Sequence, residues 1–492
     1  MRIGTGIAAA IGILLIGTAG VVSLRTFMAG SRQMAVSPVA GVAVDAQAAA
    51  ERLAGAVRFQ TISFDDRPDA SADAFLGLHA YLAREFPLVH RTLKLEKVGQ
   101  YSLLYTWPGS DPSLKPVMLM AHQDVVPIAP GTEETWQHKP FSGDIADGYV
   151  WGRGSWDDKS NLLAVLEALE MLAAGGATPK RTIILASGHD EEAGGARGAQ
   201  AIAALLKSRG VELEFVIDEG SLITEGMIGG IASPVALIGL AEKGSTTLSL
   251  TAEGAPGHSS MPPKTSVIGT LSTALNRLTS NQMPAGITGI SRETFETLAP
   301  EMGLFSRALL SNLWLTEPLV RLQLERQPAT NAMLRTTTAL TVINGGNKSN
   351  VLPGRAQALV NFRILPGDTI ASVESHARDV IADPSVAIAQ YDTGREPSPV
   401  SPSSGDDYRL VSRTIREMMP GTIVAPGLVI AGTDSRYMSG LSPNVYRFEP
   451  IRAREQDLAR FHGTNERVSI ANYAEIIQFF HRLVTVAAFE PH

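Results

Sequence analysis

The pattern of apolar and polar positions divides the chain into stretches of different texture. From Ile3 to Leu24 the sequence "IGTGIAAAIGILLIGTAGVVSL" carries no charge. A run of that length can cross the hydrocarbon layer as a helix and exceeds the apolar region of an ordinary signal peptide. Residues 1–30 are therefore read as a signal anchor, with a cleaved signal peptide as the alternative. Arg2 lies on one side of the run and Arg25 and Arg32 on the other, so the charge rule for orientation is nearly balanced. Residues 31–47, rich in Ala, Val and Pro, read as a linker.

Beyond the linker, residues 48–243 alternate short apolar runs with longer amphipathic ones. "PVMLMAH", "RTIILASGHD" and "LEFVID" predict buried strands, while "SNLLAVLEALEMLAAGG" and "GARGAQAIAALLKSRG" predict helices stopped by glycine. Strands alternating with helices point to an α/β fold with a mostly parallel sheet. Leu162, Val165, Leu166, Leu169 and Leu172 fall on one face at helical spacing, a core-facing stripe.

The texture changes at about residue 244. "STTLSLTAEG", "TTTALTVINGG", "RAQALVNFRIL" and "SVAIAQY" read as strands, and "SVIGTLSTALNRLTS" and "TIASVESHARDVIAD" as helices. Strand, helix, strand, strand, helix, strand is the order of a ferredoxin-like α+β sandwich, placed at residues 244–396. Residues 397–492 return to the first texture, which makes the sandwich an insertion in a catalytic domain formed by 48–243 and 397–492. Residues 282–335 exceed what such a sandwich needs and contain "MGLFSRALLSNLWLTEPLVRLQL", read as additional helix.

The length, 492 residues, agrees with more than one core. A net charge of -7 and the lack of any long Lys/Arg run argue against nucleic acid as a partner. Cysteine is absent, so a transition-metal site must be built from His and carboxylates.

Such residues gather at the predicted strand ends. His122 and Asp124 close "MAHQD", spaced to share one face, and a ligating His commonly has its second ring nitrogen held by a carboxylate. Asp157 and Asp158 precede a helix, where capping is the plain alternative. Asp190, Glu191 and Glu192 stand side by side after "RTIILASGH", and Asp218 and Glu219 end another strand, where an acid also serves turns. His462 follows in "RFHGTNERV". Ligands bind beyond the carboxyl ends of strands in open α/β sheets, and His with Asp and Glu suits zinc, manganese or cobalt, two ions in a carboxylate-rich site. Three adjacent acids need a cation, so Glu192 is read as a metal ligand, Glu191 as a general base and Asp190 as a support for the loop.

On "MAHQDVVP", "GRGSWDDK", "GHDEEAGG", "VIDEGS", "APGHSSMPP" and "FHGTNER" the chain resembles the aminoacylase and carboxypeptidase family of dizinc peptidases, over nearly all of its length after the linker. The resemblance implies that Asp157 bridges two zinc ions, with His122 and Asp218 completing one and Glu192 and His462 the other. Asp124 would orient His122, and Glu191 would be the catalytic acid/base. The inserted domain would be a lid or dimerisation domain, with His258 stabilising the oxyanion. Asn350, Arg363, Thr433 and Ser435 would bind substrate. The chain is similar to the larger membrane-associated or secreted branch, which contains a yeast vacuolar Gly-X carboxypeptidase and enzymes that hydrolyse or form N-fatty-acyl amino acids. Trp156 departs from the family pattern, and its bulk beside Asp157 is expected to narrow the pocket.

The expected activity is hydrolysis of an amide bond next to a free carboxylate, in a small peptide. An N-acyl-amino-acid amidohydrolase, with residues 282–335 as an acyl-chain groove, is the alternative, and a non-catalytic binding module is a more distant one. No G-x-S-x-G occurs, which removes the usual serine-hydrolase signature. A membrane-anchored or secreted protein with its catalytic part outside the cytoplasm, and a homodimer formed through the inserted domain, complete the expectations.

Overall fold

A computed structural model describes residues 2–490; Met1, Pro491 and His492, the ends of the two outermost predicted segments, lie outside the described residues. Arg2–Met28 is helical, and its stretch Ile11–Met28 is long and apolar enough to cross a membrane, with little of it buried against the protein. The stretch read as a linker has no regular secondary structure before the helix Ala46–Val57, yet it is fastened along its length. Gln33 exchanges hydrogen bonds with the backbone of Val424 at 2.8 and 2.9 Å. Val39 N–H donates to Glu417 O at 3.0 Å, and Gln478 Nε2 donates to Val42 O at 2.9 Å. The segment is a strap laid on the body.

A ten-stranded sheet forms the larger body. At its centre Ile183–Ser187, Val117–Met120, Val216–Asp218 and Val445–Arg447 run parallel. The sheet as a whole is mixed, which corrects the mostly parallel expectation. Lys94–Val98 and Ser102–Trp107 form a hairpin that pairs antiparallel with Ile183–Ser187. Val235–Glu242 pairs antiparallel with Ile223–Thr224 and Val445–Arg447, and parallel with Ile423–Val429. The cause is local: a connection of a few residues, such as the turn at Gly99 with φ 61°, returns the chain only antiparallel, whereas parallel neighbours need a long crossover.

The helix Lys159–Ala174 is buried from Lys159 through Leu169, a wider contact than its predicted stripe. Helices Ala46–Val57, Pro87–Thr92 and Ile470–Val484 enclose it, so apolar residues from both ends of the chain share one core with the sheet. Burial of this core is the main favourable contribution to folding.

A second, four-stranded antiparallel sheet has the order Thr337–Gly345, Arg355–Ile364, Gly244–Glu253, Val386–Gln390. Helices Val267–Ser280 and Ile370–Ile381 cover one face and share a separate core with it, around Leu248, Leu271, Phe362 and Val373. The region 282–335 is helical, with Gly289–Leu298, Leu304–Leu310, Leu313–Leu324 and Pro328–Leu334.

Candidate metal centre

Three parallel strands deliver the site. Val117–Met120 leads into His122 and Asp124, Ile183–Ser187 into Asp190, Glu191 and Glu192, and Val216–Asp218 ends on Asp218. The tight turn after Trp151 brings Asp157 and Asp158 to the same edge, and the loop after the short helix Glu455–Arg460 brings His462. His462 has a left-handed backbone, φ 57°, unusual for a residue with a side chain.

The two oxygens of Asp157 face two different histidines. Oδ1 lies 2.9 Å from His122 Nε2, and Oδ2 lies 2.8 Å from His462 Nε2. His462 Nε2 is also 3.1 Å from Glu192 Oε1. Ligand atoms of His122, Asp157 and Glu192 all fall within 4.8 Å of one another. On the far side of the first imidazole, His122 Nδ1 meets the backbone oxygen of Asp124 at 3.1 Å and its carboxylate at 3.4 Å. That carboxylate accepts the backbone N–H of Glu191 at 3.2 Å, the N–H of Glu192 at 3.0 Å and the Ser63 hydroxyl at 2.6 Å. Asp124 thus ties the His122 strand to the Glu191–Glu192 loop.

Asp218 is buried on the adjacent strand, its Oδ2 accepting Ser435 N–H at 2.7 Å. Thr433 and Ser435 direct their hydroxyls to Glu242 Oε1 at 2.8 and 3.2 Å, away from open space. Asp190 accepts the backbone N–H groups of Arg197 and Gly198, both at 2.8 Å, and so closes its own loop. His258, Asn350 and Arg363 are exposed on the smaller body; Asn350 O accepts Ser259 N–H at 3.1 Å, and among the described residues none of the three is hydrogen-bonded to the His122–His462 cluster.

Trp156 does not narrow the pocket. It is buried in the main core, its ring against Phe461 and its Nε1–H reaching Glu449 at 3.3 Å. The turn that carries Asp157 is fixed by Glu466, which accepts the N–H groups of Gly154, Trp156 and Asp157 at 2.8, 2.9 and 3.2 Å and is paired with Arg153. Sequence reading missed Glu466, although an acid four residues after His462 in "FHGTNER" was the available signal. It also missed Arg436, whose guanidinium lies 3.9 Å from Glu191, and Asp434, buried with both oxygens unpartnered.

The electrostatics of the cluster call for a cation. Burial pushes the carboxyls of Glu191, Glu219, Glu449, Asp158 and Asp434 well above their ordinary range, and neighbouring carboxylates push further. Burial also opposes charge on His122, yet Asp124 and Asp157 raise it well above the usual imidazole value. His462, likewise opposed by burial, is raised to about 10 by Asp157 and Glu192. Two histidines drawn towards the charged form inside a nest of acids mark a place where positive charge is favoured, and a divalent ion would supply it. The donor set of imidazole and carboxylate, without sulfur, suits zinc.

With this geometry in view, the comparisons are specific. Residues 118–486 match the model of peptidase family M20/M25/M40. The N-fatty-acyl-amino acid synthase/hydrolase PM20D1 of Mus musculus is 44% identical, over 88% of this chain and 86% of its own. Carboxypeptidase S of Saccharomyces cerevisiae is 33% identical, over 88% and 83%. The fold is shared with an M20 family metallo-carboxypeptidase from Sulfolobus solfataricus at a TM-score of 0.63 and 16% identity, over 90% of this chain and 99% of that one.

Proposed function

The chain belongs to peptidase family M20/M25/M40 and is a metallohydrolase, and from that premise we propose that it hydrolyses an amide bond next to a free carboxylate. The observation that carries this reading is Glu191: a nearly buried carboxyl that accepts no hydrogen bond, with the Arg436 guanidinium 3.9 Å away, next in sequence to Glu192. Burial without a hydrogen bond is costly for a carboxylate, and here it raises the affinity of Glu191 for a proton. A general base needs its oxygen free.

In this reading Asp157, with His122 and Asp218 on one side and Glu192 and His462 on the other, would hold two zinc ions. Zinc bound there supplies Lewis acidity for the scissile carbonyl and lowers the pKa of the attacking water. Glu191 removes the water proton and returns it to the leaving nitrogen, so no net proton is consumed at the carboxyl. Asp124 orients His122. The smaller body acts as a lid: His258 donates to the developing oxyanion on closure, and Asn350 and Arg363 hold the substrate carboxylate, for which a guanidinium fork is suited. Thr433 and Ser435 contribute by fixing Asp218 and Glu242. Thr337–Gly345, an edge strand with Leu340, Val342 and Ile343 exposed, is the face through which two copies would pair.

A second substrate reading, long-chain N-acyl amino acids in place of peptides, is supported by the relatives of 42 to 44% identity that are N-fatty-acyl-amino acid synthase/hydrolases. The helix Arg2–Met28 anchors the enzyme, with the catalytic body outside the cytoplasm. The test is metal content together with turnover of a hydrophobic dipeptide and a long-chain N-acyl amino acid, before and after chelation. About two zinc ions per chain with chelator-sensitive hydrolysis is expected, and the preferred substrate selects between the readings. A folded protein that binds no zinc and cleaves neither substrate overturns the proposal.

A further inference from the structure

The helices Leu304–Leu310 and Leu313–Leu324 present apolar side chains in two directions. Inward, Leu310, Leu313 and Val320 join Phe295 and Leu334 in a small core. Outward, Leu304, Phe305, Trp314, Leu315, Leu319 and Leu322 are all about half to three-quarters exposed, with Phe305 at 77%. Leu315, Leu319 and Leu322 are spaced 4 and 3 apart, one stripe of one helix. Scattered exposed apolar residues need no explanation, whereas six large ones on two helices in mutual contact mark a surface suited to being covered.

What covers it follows from where it is attached. Asn312, wholly buried between the two helices, reaches the N-terminal helix: its Nδ2 lies 3.1 Å from Thr26 Oγ1 and 3.3 Å from Val22 O. Arg307 donates to the carbonyl of Ala29. Measured from Ile3 at the helical rise, Val22 stands about 30 Å along the axis, the thickness of the hydrocarbon layer. The fastening point is therefore where the chain emerges from the lipid. Leu24, Phe27 and Met28 of the same helix are exposed as well, on either side of the exposed Arg25. Trp314 is held by a hydrogen bond from Nε1 to Asn312 Oδ1 at 3.2 Å, beside the fastening point, and indole is favoured at membrane interfaces.

Resting on the anchor reading above, we propose that helices 304–310 and 313–324 form a platform embedded in the outer boundary of a phospholipid bilayer, beside the anchor. Helices of this kind lie in the plane of the interface with one apolar face among the upper acyl chains.

The test uses the intact chain in phosphatidylcholine vesicles, with and without bromine on the acyl chains near the headgroup. The other four tryptophans, Trp107, Trp136, Trp151 and Trp156, are buried in the body, so Trp314 alone can meet the quencher. The expected result is that the chain floats with the vesicles and loses up to about one fifth of its emission in brominated lipid, the share of one tryptophan in five. Trp314→Phe should float equally and lose none. A chain that floats with the same emission in both lipids overturns the platform and leaves the anchor standing. Emission that ignores bromine but changes with protein density in the vesicle assigns the face to a second copy, and also overturns it. A chain that does not float removes the anchor reading and the platform together.

Discussion

Asp124 accepts the backbone N–H of Glu192 at 3.0 Å, so the residue that faces His122 also sets the position of the acidic loop. Removing it should disturb two strand ends at once. Asp124→Ala is expected to lower zinc affinity by about ten- to a hundredfold, the usual effect of losing the partner of a ligating histidine. Competition with a chelator of known affinity measures it. Unchanged affinity would mean that His122 and the loop hold their positions without Asp124.

Glu191 should be separable from metal binding. Glu191→Gln keeps the size of the side chain and removes its basicity, so turnover should fall by about 100- to 10,000-fold while zinc content stays at the wild-type level. Wild-type turnover in this variant would exclude Glu191 as the base. A joint loss of zinc and activity would make it a ligand instead.

Arg153 and Glu466 form a buried pair behind the turn that carries Asp157. Arg153→Met leaves Glu466 buried with its backbone donors but no counter-charge. Breaking a buried pair on one side costs about 3 kcal/mol or more, to be read as a shift in the chemical denaturation midpoint. Zinc affinity should weaken as well, because Glu466 accepts the N–H of Asp157.

Lys243 is buried, its Nζ donating to Ala332 O at 2.9 Å and Arg335 O at 2.8 Å, and burial, with the nearby Arg363, lowers its pKa to about 7. Between pH 7 and the unfolded value near 10.5 the unfolded chain binds the proton and the folded chain does not, so stability rises with pH across that window. The slope approaches about 1.4 kcal/mol per pH unit for one proton. Lys243→Met should lack this contribution, so its stability relative to wild type should be greatest at pH 7 and decline towards pH 10. Parallel stability curves would show that Lys243 keeps its ordinary pKa in the fold.

The cluster of His122, Asp157, Glu192 and His462 was legible in the sequence because strand ends and metal donors are both local signals. The order of elements in the four-stranded sheet was legible for the same reason, since period-two strands and period-3.6 helices announce themselves. The antiparallel margin of the large sheet was not. "KLEKVGQYSLLYTW" lacks a long apolar run, and its pairing with Ile183–Ser187 is a property of tertiary register. Trp156 was misjudged because sequence adjacency to Asp157 says nothing about which way an indole turns. Glu466 and Arg153 lie far apart in the chain, and only the fold brings an acid and a guanidinium together behind one turn.

The strap from Ala29 to Val42 carries a further consequence. Its fastenings at Arg307, Glu296, Val424, Glu417 and Gln478 leave no loose stretch between the apolar helix and the catalytic body. An enzyme on a long leash sweeps a hemisphere above its anchor, whereas one bound at the collar keeps a fixed height and tilt. On the proposed anchor this enzyme would patrol a plane, and its encounters would be set by how fast substrate arrives at the surface or spreads along it.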